Sequence, residues 1–244
     1  MMPLLYVRYE LLRTLRNRRF FLLSLGFPLV LFYVVAAPNR HAHVVELGIS
    51  FPLYYMTAMA SFGTMSAMFS CGARIAAERS VGWNRQLRIT PLSPRAYFRV
   101  KVLTGYMMAV ISLLALYVAG TTLGVSLTAG EWLKMTALML VGLVPFAALG
   151  ITIGHMLTPD SIGPAMGGGV SLLALLGGVY FPLPTHGFLH DVAQYIPSYW
   201  LVRASRVVEH GSAWSTMGWV VMAAWTIALT ALAARAYRRD TGRV

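Results

Sequence analysis

Six stretches of this chain run for about twenty residues without an Asp, Glu, Lys or Arg. They are residues 20–37, 47–73, 102–125, 135–157, 161–181 and 213–234. A helix of about 20 apolar residues crosses the hydrocarbon of a bilayer. A charge at its centre costs about 2.5–3.5 kcal/mol on insertion scales. The internal Pro28 and Pro145 are compatible with crossing, because neighbouring helices can satisfy the freed backbone groups. A soluble domain has no room for so much apolar sequence. Here 57% of the 244 residues are hydrophobic and 11% are charged, against about 45–50% and about 25% in an ordinary globule. The pattern predicts an all-α membrane protein with six transmembrane helices in a single domain, residues 1–244. It excludes a soluble globule, a disordered chain and a disulfide-knit fold, since Cys71 is the sole cysteine.

The net charge of +12 would suggest nucleic acid in a soluble protein, but its placement suggests topology instead. Arg8, Arg13, Arg16, Arg18 and Arg19 precede the first run. Seven basic residues lie in residues 74–101: Arg74, Arg79, Arg85, Arg88, Arg95, Arg99 and Lys101. Arg235, Arg238, Arg239 and Arg243 follow the last run. With six crossings these 16 share one side, leaving Arg40, Lys134, Arg203 and Arg206 on the other. Basic residues collect on the cytoplasmic side, so both termini are expected in the cytoplasm, with membrane lipid as a partner and no nucleic acid. The first run ends in Val35-Ala36-Ala37, which resembles a signal cleavage site, but its basic leader is long for a signal peptide. We read it as a retained span.

Three segments outside the spans carry information. In the leader, residues 3–19, Leu4, Leu5, Leu11, Leu12 and Leu15 share one sector of a helical wheel, opposite Glu10, Arg13, Arg16 and Asn17. That is the pattern of an amphipathic helix at the interface, or simply of a basic flank that sets topology. In residues 79–87 a short helix can place Trp83 and Leu87 on one face, with Pro91 ending it. Ser93-Pro94 then caps the next helix. Such a surface helix, ringed by arginines, suits docking to a protein or to anionic headgroups. Residues 182–212 are apolar but interrupted by His190, Asp191 and Pro197. They predict two short outer helices dipping into the membrane, or an interfacial loop with an aromatic belt of Tyr195, Tyr199 and Trp200.

The run Glu78-Arg79-x-x-Gly82-x-x-x-x-Leu87-x-x-x-Pro91-Leu92-Ser93 resembles the cytoplasmic signature of ABC-2 type permeases, the membrane subunits of bacterial ABC exporters. The similarity extends to length, six spans, the amphipathic leader and the long segment before the last span. It implies that residues 78–93 form a coupling helix that enters a cleft of a separate ATPase. Glu78, Arg79, Gly82, Trp83, Leu87, Pro91, Leu92 and Ser93 would then transmit nucleotide-driven motion. It also implies an outer gate shaped by the paired helices, with Tyr180, Phe181, Pro182 and Pro197 as its residues. The expected partners are two copies of an ABC ATPase, which would hold the ATP and Mg, and a second permease copy, with a homodimer preferred over a heterodimer. The expected substrate is an amphipathic or hydrophobic drug, antibiotic or lipid, exported across a bacterial cell membrane.

The chain itself is not expected to be an enzyme. Lys101 and Lys134, its only lysines, sit in no Gly-x-x-x-x-Gly-Lys-Ser/Thr context. Ser171 and His155 could serve as nucleophile and base only by residue type, and no His-Glu-x-x-His set is present. His186 and His190, four apart, lack further ligands for a metal site. A secondary transporter or channel without an ATPase is the alternative, but the spans show no mid-depth ionisable residue to serve one. Gly120–Gly124, Gly150–Gly154 and Gly163–Gly167 allow close helix approach, within the chain or at a dimer seam.

Overall fold

The computed structural model describes residues 8–10, 12–14, 16, 25–44, 48–82, 94–181, 183, 186–210 and 214–241. The elements are α1 (Phe27–Ala36), β1 (His43–Val44), β2 (Ile49–Ser50), α2 (Phe51–Ser80), α3 (Pro94–Thr122), α4 (Ala129–Gly142) and α5 (Val144–Met156). They continue with α6 (Pro159–Leu176), α7 (Phe188–Ala193), α8 (Pro197–Ser205), α9 (Val207–His210) and α10 (Thr216–Thr241). Residues 8–10, 12–14 and 16 of the leader are helical as well.

Ser50, in extended conformation, and Pro52 in the first turn start α2. This helix is the axis of the molecule: α1, α3, α5, α6 and α8 all pack on it. Twenty-two of its 30 residues are buried. Its hydroxyls Thr57, Ser61, Thr64 and Ser70 donate to carbonyls three or four residues back along α2, at 2.6–3.1 Å. A helix surrounded by protein can carry such residues, whereas one facing lipid must be apolar. Among the described residues three stretches are long and apolar enough to cross a membrane: Ala96–Thr122, Ala129–Met156 and Thr216–Arg239. Phe27–Ala36 and Asp160–Leu176 are shorter apolar helices.

α2 crosses α5 at glycines. A Cβ on Gly150 would lie 2.5 Å from the Met68 carbonyl oxygen, and one on Gly154 would lie 2.7 Å from that of Gly72. Of the three glycine pairs, the structure uses Gly150–Gly154 for this internal crossing. Gly163 and Gly167 face open space. α4 and α5 share one apolar run, divided at Leu143 because Pro145 has no N–H to continue the ladder. A capping box starts α4: the Glu131 carboxylate accepts from the Thr128 N–H at 2.7 Å.

The helices outrun the apolar stretches. α2 continues to Ser80, α3 begins at Pro94 and α10 reaches Thr241, so many of the arginines ride on helix ends. The termini of α2, α5 and α10, and the start of α3, meet at one end, hereafter the basic end. There Phe98 packs on both His155 and Tyr237, with ring centroids 5.7 and 4.9 Å away. At the far end β1 and β2 form an antiparallel ribbon pairing His43 with Ser50 and Val44 with Ile49. The helical pattern did not foretell this ribbon.

Candidate functional site

Glu78 sits in the last turn of α2, five residues before the segment 83–93. Its carboxylate is buried, 3% exposed, and faces α3. Lys101 of α3, fully buried, donates to Glu78 Oε1 at 2.6 Å and to Glu10 Oε1 of the leader at 2.5 Å. The Tyr97 hydroxyl, one helical turn before Lys101, donates to Glu78 Oε2 at 2.9 Å. Arg13, largely exposed, closes the network from the solvent side with a 3.1 Å bond to Glu78 Oε1. Each buried carboxylate has Lys101 as a direct partner, with Arg13 pairing from the solvent side. That pairing is what permits the burial of Glu10, Glu78 and Lys101, since an unpaired charge costs several kcal/mol to remove from water.

The same region is tied by weaker bonds. Arg74 donates to the Thr14 hydroxyl, which donates to the Glu10 carbonyl at 2.8 Å. The Cys71 thiol donates to the Lys101 carbonyl at 2.9 Å. Successive helical residues point about 100° apart, so Arg79 leaves α2 in another direction. It donates to the carbonyls of Gly154 and Leu157 at 3.0 and 3.3 Å, capping the end of α5. The end of α2 is thereby braced on the leader and α3 through Glu78, and on α5 through Arg79. Gly82 then turns the chain with a φ of 71°, a left-handed conformation that glycine adopts without strain.

A second polar cluster lies at the far end. Arg206, after α8, is 8% exposed and donates to the Gly178 carbonyl at 3.1 Å, with its guanidinium 4.5 Å from the Tyr54 ring centroid. The Ser61 and Ser205 hydroxyl oxygens lie within hydrogen-bonding distance, 2.9 Å apart. The indoles of Trp200, Trp214 and Trp225 each donate to a carbonyl, at 2.7–2.9 Å. The Ser61–Ser205 bond and the Arg206–Tyr54 contact seat this segment against α2, and the indole bonds of Trp214 and Trp225 tie it to α10 and the residues just before it, while α7 stays largely exposed, with Phe188 at 84%.

A sequence model of the family described as ABC-2 type transporter matches residues 4–210, from the leader through α9. The chain belongs to the ABC-2 type transporter family. It is also similar to "Putative transport permease YvfS" of Bacillus subtilis (strain 168), with 29% identity over 197 residues and 78% of each chain covered.

Within this ABC-2 permease, Glu78, Arg79 and Gly82 come together at the foot of α2. Trp83, Leu87, Pro91, Leu92 and Ser93 lie outside the described residues. So do Leu4, Leu5, Leu11, Leu15 and Asn17 of the leader, and Pro182 of the expected gate. Tyr180 is half-buried with its ring 6.2 Å from that of Phe62, Phe181 is exposed, and Pro197 is buried in the first turn of α8. His190 packs edge-on against Tyr199 at 6.0 Å.

Two residues of the site were missed by sequence reasoning. The helical wheel put Glu10 on the polar, solvated side of the leader, yet it is 4% exposed. The reason is its ion pair with Lys101. Lys101 itself had been counted only as a topology charge. A usable signal existed: one of only two lysines directly precedes an apolar run, where a solvated partner is hard to find.

Proposed function

We propose that this chain is the membrane subunit of an ATP-driven exporter, a six-span permease with both termini in the cytoplasm of a bacterial cell. Two copies, a homodimer in preference to a heterodimer, enclose the path. Two copies of a separate ABC ATPase bind ATP and Mg and dock on residues 78–93. The observation that carries this reading is the double brace of Glu78 and Arg79 at the foot of α2. A pull on a floppy loop would only bend the loop. With the end of α2 tied to the leader, α3 and α5, the same pull moves four segments as one body.

ATP closes the ATPases, and the halves rock outward because the nucleotide favours one of two states through differential affinity. At the far end the opening passes Tyr180, Phe181, Pro182 and Pro197, which shape the outer gate. The buried polar groups along α2 are mainly neutral hydroxyls already bonded to backbone. This supports an amphipathic or hydrophobic substrate such as a drug, antibiotic or lipid. The open face of α6 at Gly163 and Gly167 supports close approach of a second copy.

The test is to purify the tagged chain from native membranes and measure ATP turnover. The chain alone is expected to show none. An ATPase should co-purify, and Gly82→Pro or Leu87→Asp should release it. Capture of no ATPase from native membranes overturns the reading.

A further inference from the structure

A cavity of about 570 Å³ opens at the basic end between the termini of α2, α5 and α10. Three guanidinium groups line it: Arg79 from α2, and Arg235 with Arg239 from α10. The latter two are four apart and so share one helix face. No acidic side chain is among its described lining residues. Neither Arg235 nor Arg239 has an ion pair or hydrogen bond among the described residues. Three like charges around one cavity repel each other, and their field favours an anion.

The surroundings select the kind of anion. Met156 and Leu232 line the same cavity and are 66% and 45% exposed. Leu232 lies one turn before Arg235, on the membrane side of α10. The cavity therefore offers apolar side chains beside its arginines, with Leu232 on the span side of Arg235 and Arg239. That is the order of groups in a phospholipid, phosphate first and acyl chain behind it. Basic pockets between membrane helices suit anionic headgroups in this way.

We propose that this cavity is a binding site for an anionic phospholipid, with Arg235 and Arg239 on the phosphate, Arg79 at its inner edge, and Met156 and Leu232 against the first methylenes of the acyl chain. The site shares Arg79 with the segment proposed to dock the ATPase, but Arg235 and Arg239 lie outside that segment, and occupancy is measured without any transport assay.

The test uses the full chain in detergent, with phosphatidylglycerol, phosphatidylcholine or inorganic phosphate added, and counts retained lipid by native mass spectrometry. Phosphatidylglycerol should be retained over phosphatidylcholine. Arg235→Gln with Arg239→Gln should lower that retention by about fivefold per arginine. Arg40→Gln with Lys134→Gln, which removes as much charge elsewhere, should leave it unchanged. In the unmodified chain, phosphatidylglycerol should protect Arg235 and Arg239 from phenylglyoxal, a readout that needs no variant. Equal retention of the two lipids, unchanged retention in the Arg235/Arg239 variant, absence of protection, or equal protection by inorganic phosphate would overturn the proposal.

Discussion

Lys101 Nζ lies 2.6 Å from Glu78 Oε1, with the two side chains 1% and 3% exposed. This pair joins α3 to the end of α2, and the second carboxylate, Glu10, joins both to the leader. Lys101→Met leaves two carboxylates buried without their cation. Removing one partner of a buried ion pair destabilises by about 3–5 kcal/mol, so a large drop in the thermal midpoint in detergent is expected.

Removing the three buried members together tells stability from coupling. A triple variant, Glu10→Gln with Glu78→Gln and Lys101→Met, removes both buried carboxylates and their buried cation and leaves Arg13 largely in water. It should recover most of the stability lost in the single variant, since a buried ion pair is often no better than an apolar replacement. Its association with the proposed ATPase partner should persist, while nucleotide-dependent transport should fall, measured as substrate moved per ATP in vesicles.

The α2–α5 crossing depends on missing side chains. Gly150→Ala drives a Cβ to 2.5 Å from the Met68 carbonyl oxygen. Overpacking of this kind costs about 1–3 kcal/mol. Gly130→Ala, in α4, meets open space and should be neutral or slightly stabilising, as alanine is the better helix former. Thermal midpoints of the two variants, compared side by side, check the pair.

Gly82→Ala tests the turn at the foot of α2. A left-handed conformation costs an L-residue about 1–2 kcal/mol. Open space around Gly82 does not relieve this backbone strain, so the midpoint should fall by a few degrees and ATPase capture should weaken. A co-purification ratio against wild type reads this directly.

Arg206→Leu removes the bond to the Gly178 carbonyl and the contact with the Tyr54 ring at the far end. Hydrogen exchange should quicken in α8, with little change at the basic end.

What was legible in the sequence follows from the range of each force. The bilayer imposes a length on any crossing helix, so the uncharged runs mark where helices occur. The same runs did not mark the division of α4 from α5 at Pro145, where a single span was expected, nor the capping box of Thr128 with Glu131 that starts α4. The Glu10–Lys101 pair joins residues 91 apart, and no periodicity reports on a contact that distant. The motif picked out Glu78 and Arg79 as a pair, but their opposite directions, one to α3 and one to α5, appear only once three helices meet. For the leader, the wheel weighed Glu10 by its polarity, while its burial is set by a cation on another helix.

The most direct measurement is ATP turnover of the complex captured from native membranes with this chain as bait, with and without Gly82→Pro. The wild-type complex should contain an ABC ATPase and hydrolyse ATP, the isolated chain should not, and the variant should lose the ATPase. A captured complex without an ATPase, or transport driven by a proton gradient with no ATP, would contradict the assignment.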